Sequence, residues 1–327
     1  MIGSLVADIG GTHIRLARIA DALGTLDRHQ TYRCADFSSV EAAIESYLLD
    51  EGLPTPSHIA LAVACAVTGD TIQFTNSPWR FSQKLLKQHY GLKSLLVLND
   101  FEALALSLPR IPPHDFCQVG GGHALERAPM AVIGPGTGLG VAAIFPNTLK
   151  SWFSNGGEGG HMTFSPANEF ELELMRAAWK ERQHISAEAF LSGIGLPLLY
   201  RAIGQVKGEP FHAEITADQI GSFAIAGNDA LCSLTICTFC EMLGTIAGNI
   251  ALAYGARGGV FIGGGIVPKV LPLFITSGFR TRFESKGRLT EYLAAIRTTV
   301  ITSEMPTLLG LSGALSANLN ADILTIL

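Results

Sequence analysis

The first twenty residues alternate between apolar and polar positions in a way that predicts two β-strands. An apolar stretch ends at Asp8, and Gly10 and Gly11 follow it. Apolar side chains then return with a period of two, separated by Arg15 and Arg18. A period of two is typical of a strand, and paired glycines are typical of a tight turn. The sequence therefore predicts a β-hairpin with a glycine-rich tip.

Helical and strand patterns alternate after this hairpin. Apolar positions with helical spacing cover residues 39–49, and a continuous apolar run of strand length covers 58–67. A second such run ends at Asn99 and Asp100, and a helical pattern begins immediately after it. Strands that alternate with helices predict an α/β fold with a parallel sheet, whose ligands gather at the carboxyl ends of the strands.

The middle of the chain repeats the opening pattern. Pro109, Pro112 and Pro113 break the helical pattern and predict a domain boundary near residue 110. Beyond it, residues 130–145 again predict strand, glycine turn and strand, with Pro135-Gly136-Thr137 in the place of Gly10-Gly11-Thr12 at an offset of 125 residues. The simplest explanation is an internal duplication of one phosphate-binding unit.

The remaining sequence predicts further helices and one more strand. A helix is predicted to begin near Ser186, and a long one to cover 229–254. Glu241 and Asn249 interrupt the long helix, which favours a buried helix over a membrane span. An apolar strand at 258–262 runs into three glycines, and the tail has helical spacing over 308–319.

Composition excludes several classes of protein. A length of 327 residues suits two domains, and 48% hydrophobic residues with only 16% charged ones suit buried parallel strands. The net charge of −5, with no long run of one sign, gives none of the basic surface that nucleic acids require. The N-terminus lacks the pattern of a secretory signal, so we expect a cytoplasmic protein with no membrane partner.

The segment from Asp8 to Thr12 has the chemistry of a phosphate site. Two adjacent glycines let backbone N–H groups approach a phosphate, Thr12 adds a hydroxyl donor, and Asp8 can orient Mg²⁺ or its waters. An ordinary hairpin tip has the same short motif. The second glycine turn at 134–140 and the glycine cluster at 263–265 favour a nucleotide held between two domains.

Six motifs together show a family resemblance. In chain order they are D-I-G-G-T at 8–12, L-N-D-F at 98–101, G-P-G-T-G-L-G at 134–140, G-E-G-G-H at 157–161, S-A-E with L-S-G at 186–193, and G-G-V-F-I-G-G-G-I-V-P at 258–268. The chain resembles the ATP-dependent bacterial glucokinases over nearly its whole length. The resemblance implies the actin-like ATPase (ribonuclease H-like) fold, with two α/β domains and an interdomain cleft. It implies a small domain over 1–110, completed by a C-terminal helix at about 305–327, and a large domain over 111–304.

The resemblance also implies an activity and a set of site residues. The activity is Mg·ATP-dependent phosphorylation of D-glucose at O6, the first step of glycolysis, with Asp100 as the catalytic base. The implied sugar contacts are Asn99, Asp100, Gly138, Glu158, His161 and Glu188. The implied nucleotide contacts are Ala7, Asp8, Ile9, Gly10, Gly11, Thr12, Gly136, Thr137, Gly264 and Gly265, with Asp8 reaching Mg²⁺ through water. Relatives also suggest a homodimer.

Structural roles compete with these functional ones. Asp100 has the position of a helix N-cap, Glu158 that of a solvated loop charge, and His161 that of a packed imidazole or a metal ligand. Glu188 would be a favourable charge in the first turn of the helix predicted near Ser186. At the level of function, the alternatives are a kinase for fructose, mannose or an N-acetylhexosamine, and a non-kinase ATPase or sugar sensor on the same fold.

Overall fold

The computed structural model describes the backbone of residues 2–74, 78–147 and 151–324, and the side chains of these residues up to Ala317. These residues form two compact units. The first unit comprises Met1–Pro113, Asn147–Gly156 and Ser303–Leu327, and the second comprises His114–Pro146 and Gly157–Thr302. The domain limits predicted from the sequence, 1–110 with about 305–327 and 111–304, stay a prediction.

Strands and helices alternate along most of the chain, as the patterns predict. Up to residue 107 the elements are β1 (Leu5–Ile9), β2 (His13–Ile19), β3 (Leu26–Arg33), α1 (Val40–Asp50), β4 (His58–Val63), β5 (Thr71–Gln73), β6 (Arg80–Ser82), α2 (Gln83–His89), β7 (Ser94–Asn99) and α3 (Asp100–Ser107). Thereafter they are β8 (Phe116–Gln118), β9 (Met130–Pro135), β10 (Leu139–Pro146), β11 (Trp152–Gly157), α4 (Glu169–Ala178), α5 (Leu196–Lys207), α6 (Ala217–Ala226), α7 (Ala230–Tyr254), β12 (Gly259–Ile262), α8 (Ile266–Lys269), α9 (Leu271–Thr276), α10 (Phe279–Glu284), α11 (Thr290–Ala294), β13 (Thr298–Ile301) and α12 (Pro306–Leu324).

The first unit is built on one five-stranded sheet in the order β3-β2-β1-β4-β7. β1, β4 and β7 are parallel, whereas β2 and β3 continue the sheet antiparallel. The predicted hairpin is confirmed, with Ile9 paired to Ile14 and residues 10–13 forming its tip. Alternate side chains of each strand therefore enter the two opposite cores of this unit.

Helices cover both faces of this sheet. On one face, apolar side chains of β1, β4 and β7 pack against α1 and α2, around the fully buried Ile44 and Tyr47. On the other face, Leu308, Leu311 and Leu315 of α12 pack against β1, β4 and α3. Gly310 brings α12 close to α3, because a Cβ at this position would collide with the carbonyl oxygen of Ala103. The C-terminal helix is therefore part of the core of the first unit.

The second unit repeats this plan, which confirms the predicted duplication at the level of topology. Its sheet has six strands in the order β11-β10-β9-β12-β13-β8, with β9, β12 and β13 parallel and β10 antiparallel to β9. The order β2-β1-β4-β7 of the first unit is thus repeated as β10-β9-β12-β13. The two hairpin tips differ, because Pro135 pairs with Leu139 and only three residues lie between them.

The long apolar helix α7 is a core helix. By length and composition this helix could cross a membrane, but 67% of its apolar 18-residue stretch is buried within the protein. Gly244 and Gly248 let α10 approach closely, since a Cβ at either position would collide with a backbone carbonyl of Phe279 or Phe283. The prediction of a buried helix is confirmed.

Two predicted elements differ from the structure. The apolar run at 58–67 forms a strand only as far as Val63, and beyond it the Cys65 carbonyl accepts a hydrogen bond from the side-chain amide of Asn99. The helix predicted to begin near Ser186 is wrong. Residues 186–195 form a short bridge and successive turns, and the next helix, α5, begins at Leu196.

A buried ion pair joins three helices of the second unit. Glu171 of α4 is 1% exposed, and its Oε1 lies 2.6 Å from the Nη2 atom of Arg282 on α10. The same Nη2 donates to the Thr245 hydroxyl of α7, at 2.8 Å. The second carboxylate oxygen of Glu171 accepts the Ala167 N–H at 2.7 Å. Both oxygens are therefore satisfied, as a buried charge requires.

We expect Glu171→Ala to lower the free energy of unfolding by about 3 kcal/mol, because Arg282 loses its buried partner and keeps only the more exposed Glu241 carboxylate, 3.6 Å away. Glu173→Ala on the same helix is the control, since its ion pair with Arg176 is about half exposed. That control should cost less than about 1 kcal/mol. Urea unfolding of both variants measures the difference, and equal losses would contradict the account.

Candidate active site

The parallel strands of the first unit end together at one edge of their sheet. Ile9 pairs with Val63, and Val63 pairs with Asn99, so the last residues of β1, β4 and β7 are in register. Neighbouring strands are about 4.8 Å apart, which separates the ends of β1 and β7 by about 10 Å. The glycine turn after β1 and Asp100 after β7 therefore lie on the same edge of the same sheet.

The first glycine turn exposes groups that can contact a phosphate. The Gly10 N–H donates to the carbonyl of His13 at 2.9 Å and closes the turn. Gly11 and Thr12 are exposed at its tip. The Thr12 hydroxyl lies 3.1 Å from Nδ1 of His13, and the Thr12 carbonyl accepts the Cys34 N–H. The tip is thus held on both sides and can offer backbone N–H groups and a hydroxyl to an anion.

Asp8 precedes this turn on a largely buried position of β1. Its side chain is 16% exposed, and its Oδ2 lies 3.5 Å from Nη1 of Arg15 on the paired strand. Burial raises the pKa of Asp8, while the Arg15 guanidinium acts in the opposite direction. Ala7 and Ile9 are fully buried, backbone and side chain alike, and belong to the core behind the turn.

Asn99, and not Asp100, caps helix α3. The Asn99 Oδ1 accepts the N–H groups of Phe101 and Glu102 at 3.0 and 3.4 Å, and its Nδ2 donates to the Cys65 carbonyl at 3.3 Å. Asp100 is the first residue of the helix, where the helix end favours a negative charge. Its Oδ1 lies 2.9 Å from the Phe101 nitrogen. The interpretation of Asp100 as the N-cap is therefore wrong.

In the second unit, three predicted sugar contacts form one cluster. Glu158 precedes a single helical turn at 159–161 that ends with His161. The His161 ring lies 4.0 Å from the Glu158 carboxylate and 3.9 Å from that of Glu188. Glu158 and His161 are about two-thirds exposed, whereas Glu188 is 27% exposed. Two acceptors and an imidazole can thus serve neighbouring hydroxyl groups of one small polar ligand.

Glu188 links this cluster to the second glycine turn. Its Oε2 accepts the Leu139 N–H at 2.8 Å, and its own N–H donates to the Gly160 carbonyl at 2.9 Å. A Cβ on Gly138 would lie 2.5 Å from the Glu188 carboxylate, so a larger residue there would displace this carboxylate from its bond to Leu139. Glu188 stands outside any helix, and its interpretation as a first-turn helix charge is wrong.

The predicted nucleotide contacts of the second unit are also adjacent. The N–H of the tip residue Gly136 donates to the Gly138 carbonyl at 2.9 Å. The Gly136 carbonyl accepts the Gly193 N–H at 2.8 Å, and Thr137 is the next residue of the tip. The Gly263 N–H donates to the Ile133 carbonyl at 2.9 Å, which places the glycines after β12 beside the turn after β9. Gly264 follows with a φ of +76°, and Gly265 precedes α8.

The predicted residues thus form one set in each unit. The first unit holds Ala7, Asp8, Ile9, Gly10, Gly11, Thr12, Asn99 and Asp100, and the second holds Gly136, Thr137, Gly138, Glu158, His161, Glu188, Gly264 and Gly265. Sequence reasoning missed the supports of these residues. The Cys65 carbonyl holds Asn99, and the buried Ser192 hydroxyl donates to the Glu188 carbonyl at 2.8 Å. The only signal for Ser192 was its place in the L-S-G motif.

Known proteins share this fold over almost the whole chain. A crystal structure of a glucokinase from an Antarctic psychrotroph superimposes with a TM-score of 0.87, at 35% identity, covering 96% of this chain and 98% of that one. A glucokinase from Balamuthia mandrillaris, solved in complex with glucose, gives a TM-score of 0.80 at 20% identity, covering 96% and 93%. The second likeness shows the fold alone. The fold is that of the sugar kinases in the actin-like ATPase superfamily.

Sequence comparison identifies the family. The family model described as Glucokinase matches residues 5–318. A glucokinase from Neisseria meningitidis serogroup C is 44% identical over 314 residues, which cover 96% of this chain and 94% of the relative. The chain belongs to the glucokinase family. It is a glucose-phosphorylating kinase, with ATP as the phosphoryl donor that the family implies.

Two neighbouring glycines of the second unit allow a matched test of the site's backbone. Gly264→Ala should lower the melting temperature by several degrees, because its φ is positive and the added Cβ would collide with the Pro135 carbonyl. Gly265→Ala should melt close to the wild type, since its φ is −91° and a Cβ there meets nothing within 4 Å. Calorimetry on both variants provides the measurement. Equal melting temperatures would contradict the described packing of the two turns.

Proposed function

We propose that this kinase transfers the γ-phosphoryl group of Mg·ATP to O6 of D-glucose, giving glucose 6-phosphate and ADP. The C6 hydroxyl oxygen forms a bond to the γ-phosphorus, and the bond from that phosphorus to the β,γ-bridging oxygen breaks. The hydroxyl proton passes to the carboxylate of Asp100. The observation that carries the proposal is the placement of Asp100 at the sheet edge that also holds the first glycine turn.

Asp100 suits the role of base because Asn99, and not Asp100, caps the helix. Asn99 satisfies the free N–H groups of the helix end and is itself held by the Cys65 carbonyl. The N-terminal end of the helix interacts favourably with a negative charge at this position. The second amide proton of Asn99 can be donated to a sugar oxygen, which supports the sugar contact that the family resemblance implies for Asn99.

Glu158, His161 and Glu188 are proposed to bind the remaining sugar hydroxyls. Glu158 would accept from secondary hydroxyls, and His161 would contact the anomeric end. Glu188 serves a double purpose in this proposal, because one of its oxygens already accepts the Leu139 N–H and the other lies toward His161. Gly138 leaves room for the Glu188 carboxylate beside the turn.

The glycine turns are proposed to hold the polyphosphate and its metal ion. Backbone N–H groups of the turn from Gly10 to Thr12 would bind phosphate oxygens, and Gly136, Thr137, Gly264 and Gly265 would contact the nucleotide from the second unit. Mg²⁺ usually takes one or two carboxylates together with substrate phosphates. Asp8, a single carboxylate beside the turn, fits a contact to Mg²⁺ through water. The metal would neutralise charge on the phosphates.

The cellular setting is proposed from the family resemblance. The resemblance supports the proposal that the enzyme works in the cytoplasm, as a homodimer, in the first step of glycolysis. The packing of α7 inside its unit agrees with a soluble enzyme.

Asp100→Asn tests the proposed base. We expect kcat to fall by about 10²–10⁴-fold, because the amide accepts no proton, while the Kd for glucose stays within about threefold. Coupled ADP release measures kcat, and calorimetric titration measures glucose binding. Asp36→Asn is the control, since Asp36 is an exposed carboxylate of the same unit outside the proposed site.

Two results would contradict the proposal. An Asp100→Asn variant with a wild-type kcat would remove the base assignment. ADP release by the wild type that does not respond to added glucose would favour the non-kinase ATPase over the glucose kinase.

A further inference from the structure

Glu102 makes a contact that the proposed chemistry does not use. Its Oε1 accepts the hydroxyl proton of Ser154 on β11, at 2.5 Å. Two residues further on, the backbone of Gly156 passes so close that an added Cβ would lie 3.4 Å from the other carboxylate oxygen. Both partners are partly buried and belong to the first unit. One carboxylate therefore lies along the backbone from Ser154 to Gly156.

This contact replaces a local one. Glu102 lies three residues after the N-cap Asn99, which is the position where a glutamate commonly folds back to the N-cap N–H in a capping box. The Glu102 N–H does donate to the Asn99 side chain, but the Glu102 carboxylate accepts from Ser154, 52 residues away. Helix α3 thus begins with Asp100 and holds a distant segment through Glu102.

The segment held by Glu102 leads directly to a proposed sugar contact. Residues 147–156 form a piece of the first unit between two stretches of the second. β11 ends at Gly157, and Glu158 is the next residue, four positions after Ser154. A bond at Ser154 therefore fixes the chain just before the loop 158–161. The glycines at 156 and 157 give this stretch no side-chain packing of its own.

We propose that Glu102 is a positioning residue for glucose binding, because it fixes the approach to Glu158 and His161 by holding Ser154. The inference rests on the proposed function, in which these two side chains contact the sugar. Loss of the bond removes one restraint on the strand that leads into this loop, while the bond from the Glu188 N–H to the Gly160 carbonyl remains. Glu158 and His161 are then placed less precisely for the sugar. The effect falls on the affinity for glucose and spares the nucleotide.

A set of substitutions at the two partners tests this role. Glu102→Ala and Ser154→Ala should each raise the KM for glucose by roughly 5- to 20-fold, as expected for loss of a charge-assisted hydrogen bond, with the KM for ATP within about twofold. The double variant should be no worse than either single one, because both remove the same bond. Glu102→Gln should recover most of the affinity, since its amide oxygen still accepts from Ser154.

Glu41→Ala is the matched control. Glu41 lies in the first turn of α1 in the same unit, so its removal reproduces the loss of a negative charge at a helix N-terminus without touching β11. It should leave both KM values unchanged. Thermal melting of every variant separates loss of affinity from loss of folded protein.

Several outcomes would overturn the positioning role. They are a glucose KM for Glu102→Ala within twofold of the wild type, equal increases for glucose and ATP, or a double variant whose effect is the product of the single ones. Glu158→Gln separates this inference from the proposed function. An unchanged glucose KM in Glu158→Gln contradicts the proposed sugar contact. A raised KM there, with no change in Glu102→Ala, contradicts the positioning alone.

Discussion

The backbone pairing of parallel strands determines where the chemistry of each unit can be. In the first unit, the register of β1, β4 and β7 aligns Ile9, Val63 and Asn99, so the turn after β1 and the helix after β7 start from one sheet edge. If β1 shifted by one residue against its neighbours, Asp8 would enter the core that Ala7 and Ile9 now fill. The apolar cores on both faces oppose such a slip and thereby preserve the position of Asp100.

The second unit uses the same constraint with different side chains. Ile133 pairs with Ile262, so the glycines after β9 and β12 meet at one edge. Tight backbone contacts then set the positions of the polar groups, because Glu188 bonds to both Leu139 and Gly160. The proposed sugar contacts therefore depend on hydrogen bonds of the main chain, which explains why so many positions around them are glycine.

Local pattern predicted those parts of the structure that depend on local interactions. The alternation around Gly10 predicted the first hairpin, and the helical spacing over 39–49 and 229–254 predicted α1 and α7. The residues after Ser186 were predicted as a helix, but bonds to Met162 and Gly160 hold them in turns. Contacts such as Ser154 with Glu102 join residues 52 positions apart, and no periodicity reveals them. The role of Glu188 followed from the family resemblance alone.

The account depends most on the carboxylate of Asp100 meeting the sugar hydroxyl that is phosphorylated. A crystal structure with glucose and a non-hydrolysable ATP analogue tests this directly. It should place a carboxylate oxygen of Asp100 within about 2.6–3.2 Å of glucose O6, with the terminal phosphate at the turn from Gly10 to Thr12. Glucose bound with O6 directed away from Asp100, or a phosphate chain that avoids this turn, would contradict the account.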